Sequence, residues 1–136
     1  MKDFHLEILT PERQFFDGGV EELIVVTPDG QRGILAGHTP MIFSVAVGEV
    51  KLKINNEFRI CFSSEGFLEI RPDKVVLMSQ VVEWPEEIDV RRAQEAKRRA
   101  EEQMRQRQSL QEYHSTMSSL ARAMARLKIR RSMNID

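Results

Sequence analysis

An all-β body followed by an antiparallel helical hairpin is the fold class that this sequence predicts, and three observations carry the prediction. Through residue 84 the apolar side chains come in short segments that alternate with polar ones, which is the period of a strand with one buried face. At Trp84-Pro85-Glu86-Glu87 that pattern stops. From there to residue 136 the chain is rich in alanine and arginine, with apolar residues at steps of three and four, the spacing of helices that bury one stripe. The expected division is a β-sandwich domain over 1–84 and a two-helix arm over 85–136. The first can bury a two-layer core alone; the second must rest on something to be ordered, as a movable arm would.

The elements follow in order. Phe4, Leu6 and Ile8 alternate with His5 and Glu7 until Thr10-Pro11-Glu12 breaks the strand. Val20 to Val26 leads into Thr27-Pro28-Asp29-Gly30, whose proline and glycine suit the fixed and positive φ values of a turn between paired strands. Val50-Lys51-Leu52-Lys53-Ile54, then Asn55-Asn56, then Glu57-Phe58-Arg59-Ile60 is the firmest hairpin, because asparagine tolerates the left-handed turn conformation. Phe67 to Ile70, a turn at Pro72-Asp73, and Val75 to Met78 extend the series. Short strands at such regular spacing predict an antiparallel sandwich or flattened barrel.

In the arm, Pro85 fits a first helical turn, Glu86 and Glu87 suit the positive end of the helix dipole, and Asp89 is an alternative N-cap, so the first helix starts between 85 and 90. Val90, Ala93, Ala96, Ala100 and Met104 make a narrow stripe of mostly small residues. After Gln106-Arg107-Gln108-Ser109 a second series, Leu110, Tyr113, Met117, Leu120, Met124 and Leu127, reads as a heptad seam. Alanine contributes little buried area, at about 25 cal/mol per Å² of apolar surface, so the pair should be held weakly.

Composition excludes several classes. The longest apolar runs, Leu23 to Val26 and Met41 to Val47, fall far short of the roughly 20 residues that cross a bilayer. The start, Met1-Lys2-Asp3-Phe4, is strand-like and lacks a signal-peptide pattern, from which residence in the cytoplasm is expected. Cys61, the single cysteine, lies between Ile60 and Phe62 and is expected to pack as a small hydrophobe. His5, His38 and His114 are far apart, with no ligand spacing, so no metal site is expected. Gly30, Gly33 and Gly37 are followed by no Gly-Lys-Ser/Thr, and no Ser/His/Asp order or carboxylate pair stands out, so neither a phosphate loop nor an enzyme is expected. Residues 1–84 carry 8 basic and 13 acidic side chains, against 12 and 8 for 85–136. The arm is basic, yet its interspersed glutamates, scarce aromatics and an overall pI near 6.3 fit a nucleic-acid binder poorly.

Four arginines of the arm stand out as pairs. Arg92 and Arg99 are seven apart and Arg122 and Arg126 four apart, so each pair shares a helix face. A reversal near Ser109 puts all four in the half of the hairpin away from its turn, where guanidinium forks can grip a polyphosphate. Counted from the Leu/Met seam, however, Arg122 and Arg126 point away from the partner helix, which spacing alone reads as a solvated face or a surface for acidic partners.

Taken together, the segments Phe4-His5-Leu6-Glu7-Ile8-Leu9-Thr10-Pro11-Glu12, Gly33-Ile34-Leu35-Ala36-Gly37-His38-Thr39-Pro40 and Ser64-Glu65-Gly66-Phe67-Leu68-Glu69-Ile70 resemble the epsilon subunits of bacterial F-type ATP synthases. Ile88-Asp89-Val90-Arg91-Arg92-Ala93 is similar to the nucleotide motif of the ATP-binding members. The resemblance spans the chain and implies a ten-stranded sandwich with two helices, a non-catalytic rotor subunit beside the gamma subunit and the c-ring, peripheral on the cytoplasmic face of the bacterial membrane. It further implies an arm that either folds down or extends along gamma toward the alpha/beta ring, where it opposes ATP hydrolysis, and a regulatory ATP that favours the folded state without an obligatory metal or other cofactor. By the same resemblance Ile88, Asp89 and Ala93 adjoin the adenosine part, with Glu83 nearby, and Arg92, Arg99, Arg122 and Arg126 meet the phosphates. Two alternatives remain at this level: a purely structural rotor subunit, or a basic helical nucleic-acid binder.

Overall fold

The computed structural model describes residues 2–133, which form two compact units that meet in sequence between Glu83 and Trp84. The first contains ten strands: β1 (Phe4–Leu9), β2 (Gln14–Val20), β3 (Glu22–Thr27), β4 (Gly30–Leu35), β5 (Met41–Val45), β6 (Gly48–Ile54), β7 (Glu57–Ser63), β8 (Gly66–Ile70), β9 (Val75–Ser79) and β10 (Val82–Glu83). The second contains one 3-10 turn, Pro85–Glu87, and two helices, α1 (Val90–Met104) and α2 (Leu110–Met133).

The strands make two five-stranded sheets, ordered β2-β1-β9-β8-β5 and β10-β7-β6-β3-β4. Every pairing is antiparallel except β1 with β9, which is parallel. Alternation decides which side chains go inside. Leu6 and Ile8 of β1, Leu23 and Val25 of β3, Val50 and Leu52 of β6, and Leu68 with Leu77 across β8 and β9 are all buried. The expected Asn55-Asn56 reversal is present, with both residues at positive φ (51° and 65°), and it sets the β6–β7 register. Gly66 is required for a different reason: a Cβ there would lie 2.1 Å from the carbonyl oxygen of Met78, backbone that cannot swing aside. The run Val20 to Val26 spans the end of β2 and most of β3, because Glu21, whose N–H donates to the Lys53 carbonyl at 2.8 Å, interrupts the strand.

Cys61 is fully buried, and loss of solvent pushes its thiol up to about 12. A thiol in that state is inert packing. Ser64 and Ser79 are also buried, and their hydroxyls share one hydrogen bond of 2.8 Å. The outer face of the first sheet carries exposed apolar residues in register: Phe67 faces Met78 directly across β8 and β9, Leu9 faces Met78 on the other side, and Ile42 is 64% exposed on β5.

The helical unit begins as its sequence dictates. The Trp84 N–H donates to the Glu87 carboxylate at 2.8 Å, closing the 3-10 turn. Asp89 is the N-cap of α1, its Oδ1 accepting from the Arg92 N–H at 3.0 Å, which satisfies one of the unpaired donors of a first helical turn. At the far end of the unit, Arg130 of α2 donates from Nη1 to the Pro85 carbonyl at 3.2 Å, so the end of α2 lies beside the start of α1 and the helices are antiparallel.

The contact between the helices differs from the heptad expectation. On α1 the alanine stripe holds: Ala93 and Ala100 are buried. On α2 the buried residues are Thr116, Ala123 and Ile129, whereas Leu110, Tyr113, Met117 and Met124 of the presumed seam are 74%, 41%, 41% and 52% exposed. Small residues take the centre of the contact because alanine lets two backbones approach closely; Leu120 and Leu127 of the presumed seam are half-buried, and its other long side chains are turned outward. The apolar stripe is real, but it borders the seam and is not its centre.

Candidate functional site

The rotated seam changes where the arginines fall. A helix turns about 100° per residue, so Arg92 lies one step before the buried Ala93, and Arg122 one step before the buried Ala123. In two antiparallel helices that face each other, the same sense of rotation away from each seam leads to the same flank of the pair. Arg99, seven after Arg92, keeps to its line, and Arg126, four after Arg122, lies nearer the seam on the same side.

Two grooves within this unit verify the geometry. Gln103 and Arg107 from α1 and the connection share one groove of about 270 Å³ with Ser115, Thr116 and Ser119 of α2, on the flank to which the rotation assigns the four arginines. Gln94, Lys97, Arg98 and Glu101 of α1 share another, of about 400 Å³, with Leu127, Arg130 and Arg131, on the opposite flank. Arg92, Arg99, Arg122 and Arg126 therefore run along one side of the hairpin, as a row expected to face a polyphosphate must. Arg92 and Arg99 are exposed and Arg122 and Arg126 half-buried. Arg122 donates from Nη2 to the Ser119 hydroxyl at 3.3 Å, which holds it along the helix.

The remaining residues of the motif sit at the start of α1. Ile88 is 5% exposed and Ala93 4% exposed, so both serve packing, and the Asp89 carboxylate is engaged as the N-cap. Glu83 stands apart from them in sequence, on β10 of the first unit, paired across the strands with Phe62.

Two features escaped the sequence reading. One is the second basic groove, whose Lys97 and Arg98 are hidden as a signal until the alanine seam fixes which flank they occupy. The other is Gln108, in the connection after α1: its amide NH₂ donates to the Gln103 carbonyl, and its Oε1 accepts from the Thr116 hydroxyl at 3.0 Å. One side chain thus ties the end of one helix to the other. The signal for it, a glutamine in a polar turn, is too common to single out. Among the described residues, no helix is long and apolar enough to cross a membrane.

Fold and arrangement define a class: a two-sheet β-sandwich followed by a separate helical hairpin joined along alanines, with arginines from both helices on one flank. The chain belongs to the ATP synthase delta/epsilon family. Residues 3–85 match its beta-sandwich domain and residues 86–130 its long alpha-helix domain. It is 50% identical over 129 residues to the ATP synthase epsilon chain of Caldanaerobacter subterraneus subsp. tengcongensis, covering 94% of both chains. It is 45% identical over 127 residues to that of Ruminiclostridium cellulolyticum, covering 93% of this chain and 95% of the relative. A chain in the central stalk and c-ring structure of the Tetrahymena thermophila mitochondrial ATP synthase shares the fold with a TM-score of 0.70 at 14% identity, over 95% of this chain and 97% of that one. A chain of the Euglena gracilis mitochondrial enzyme does so with 0.71 at 17%, over 97% and 79%.

Proposed function

We propose that this protein is a non-catalytic rotor subunit of a bacterial ATP synthase, seated between the gamma subunit and the c-ring on the cytoplasmic face of the membrane, and that its hairpin senses ATP. Epsilon chains at 50% identity support the first part. The exposed Phe67–Met78 pair with Leu9 and Ile42 supports it too, since an apolar outer sheet face of this kind suits a permanent subunit contact.

The observation that carries the sensing role is the single flank shared by Arg92, Arg99, Arg122 and Arg126. A ligand shifts an equilibrium only by its differential affinity for two states. Arginines drawn from two helices hold one polyphosphate together only while the helices are paired, so ATP favours the folded hairpin, and loss of ATP frees the arm to extend toward the alpha/beta ring and oppose hydrolysis. In this scheme Ile88, Asp89 and Ala93 border the adenosine, and Arg92, Arg99, Arg122 and Arg126 bind phosphate. Their guanidinium groups supply the positive charge themselves, and no metal is needed.

Calorimetric titration of the isolated protein tests this reading. ATP should bind more tightly than ADP, and Arg92→Ala or Arg126→Ala should weaken it by about tenfold, the loss of one charge-assisted contact. Binding that is immeasurable in the wild type, or equal in wild type and variants, would refute nucleotide sensing.

A second reading rests on Asp89, whose carboxylate already caps α1: the motif then only starts a helix, in a purely structural rotor subunit. Asp89→Ser separates the two, because serine caps as well as aspartate. An ATP affinity unchanged by Asp89→Ser assigns Asp89 to the helix alone.

A further inference from the structure

The flank of the hairpin opposite the four arginines has features that the motif does not account for. Its groove of about 400 Å³ lies between the helices and brings together Lys97, Arg98, Arg130 and Arg131, with Val90 and Leu127 as apolar walls. That volume falls within the range of small-molecule sites. Gathering four cations is unfavourable unless something offsets their repulsion. Among the described residues, Lys97, Arg98 and Arg131 form no ion pair, and the groove's one carboxylate, Glu101, pairs with none of them. Arg91, outside the groove, does have an acidic partner in Glu95 at 3.6 Å.

Arg130 is fixed in place. Its Nη1 donates to the Pro85 carbonyl, and its Nε is buried without a hydrogen-bond partner. A guanidinium oriented by a backbone carbonyl, with no acidic partner among the described residues, is thus held at one wall, and half-buried Lys97 and exposed Arg98 and Arg131 line the groove with it. This is a preorganised positive field with adaptable donors, the combination that suits a compact multivalent anion.

We propose that this groove is a second anion site, separate from the flank of Arg92 and Arg126, and that it takes a phosphorylated small molecule, with its phosphates on Lys97, Arg98 and Arg131 and its apolar part against Val90 and Leu127. Both helices contribute, so occupancy stabilises the paired hairpin. The site stands whether or not the opposite flank binds ATP, because the two share no residue.

The test follows the Nε–H resonances of Arg98 and Arg131 by ¹H–¹⁵N NMR while inorganic pyrophosphate is added to the full-length protein at constant ionic strength. Saturable shifts of these two resonances are expected. The double variant Arg98→Ala/Arg131→Ala should weaken pyrophosphate binding about tenfold, and Arg92→Ala/Arg126→Ala should leave these resonances and their midpoint unchanged. Glu101→Gln should tighten binding, a gain that misfolding does not produce. The proposal is overturned if the two resonances respond equally to sodium chloride and pyrophosphate, if they stay fixed, or if Arg92→Ala/Arg126→Ala abolishes their response.

Discussion

The sandwich and the hairpin use opposite solutions to the same problem of burying apolar surface. The sandwich puts large side chains completely out of water, Leu6, Ile8, Leu23, Leu52 and Leu68 among them. The hairpin buries alanines at its contact and leaves most of its Leu/Met stripe exposed, with Leu120 and Leu127 half-buried. At roughly 0.8 kcal/mol per buried CH₂, the former commits the chain to one structure and the latter holds its helices together with little to spare. A region that must persist and a region that can change partners are thus distinguished by side-chain size at the contact, not by the regularity of their secondary structure.

The largest expected effect tests the committed half. Leu52→Ala empties a fully buried position on the inward face of β6, opposite Leu23 of β3, and should cost the sandwich about 2–5 kcal/mol. Cys61 on the adjacent strand β7 is the reporter: buried with its thiol pushed up to about 12, it should resist alkylation in the wild type and react rapidly in the variant. Fast alkylation of the wild-type thiol would break the contrast at once.

A smaller effect is expected in the hairpin. Ala123→Leu forces a large side chain into a contact that is 1% exposed and built for a methyl group, costing about 1–3 kcal/mol. The helical signal should melt earlier while Cys61 stays protected. If both probes move together, the two units do not differ in the way proposed.

How much of this was legible in the sequence depended on whether a signal was local. The Asn55-Asn56 turn, the Asp89 N-cap and the buried Cys61 each follow from a residue and its immediate neighbours, and the structure has them. The strand β5 and the short β10 carry weak alternation and are defined by pairing with β8 and β7, distant in sequence. The α2 seam was misread because hydrophobicity was taken as a guide to contact: Met117 and Met124 are the more apolar, but Thr116 and Ala123 are small enough to meet α1. That one rotation moved Arg122 and Arg126 from an outward face to a flank shared with Arg92 and Arg99, so the candidate site was readable by residue type and unreadable by direction.

The smallest effect sharpens the account of the hairpin's closed end. The Thr116 hydroxyl has one proton and two acceptors in reach, Gln108 Oε1 at 3.0 Å and the Glu112 carbonyl at 2.9 Å, so it serves one at a time. The Gln108 amide, meanwhile, donates to the Gln103 carbonyl at the end of α1, which also accepts from the Gln106 N–H at 3.1 Å. Gln108→Ala removes both ends of this bridge and should destabilise helix pairing by about 1 kcal/mol. Thr116→Val should cost less, because valine fills the same buried space and the freed Gln108 oxygen can turn to water. If the bridge couples them, the double variant costs less than the sum of the two, as hydrogen exchange in the first turns of α2 would measure. Strict additivity would mean that Gln108 only caps α1, and the alanine contact alone would then be what keeps the hairpin shut.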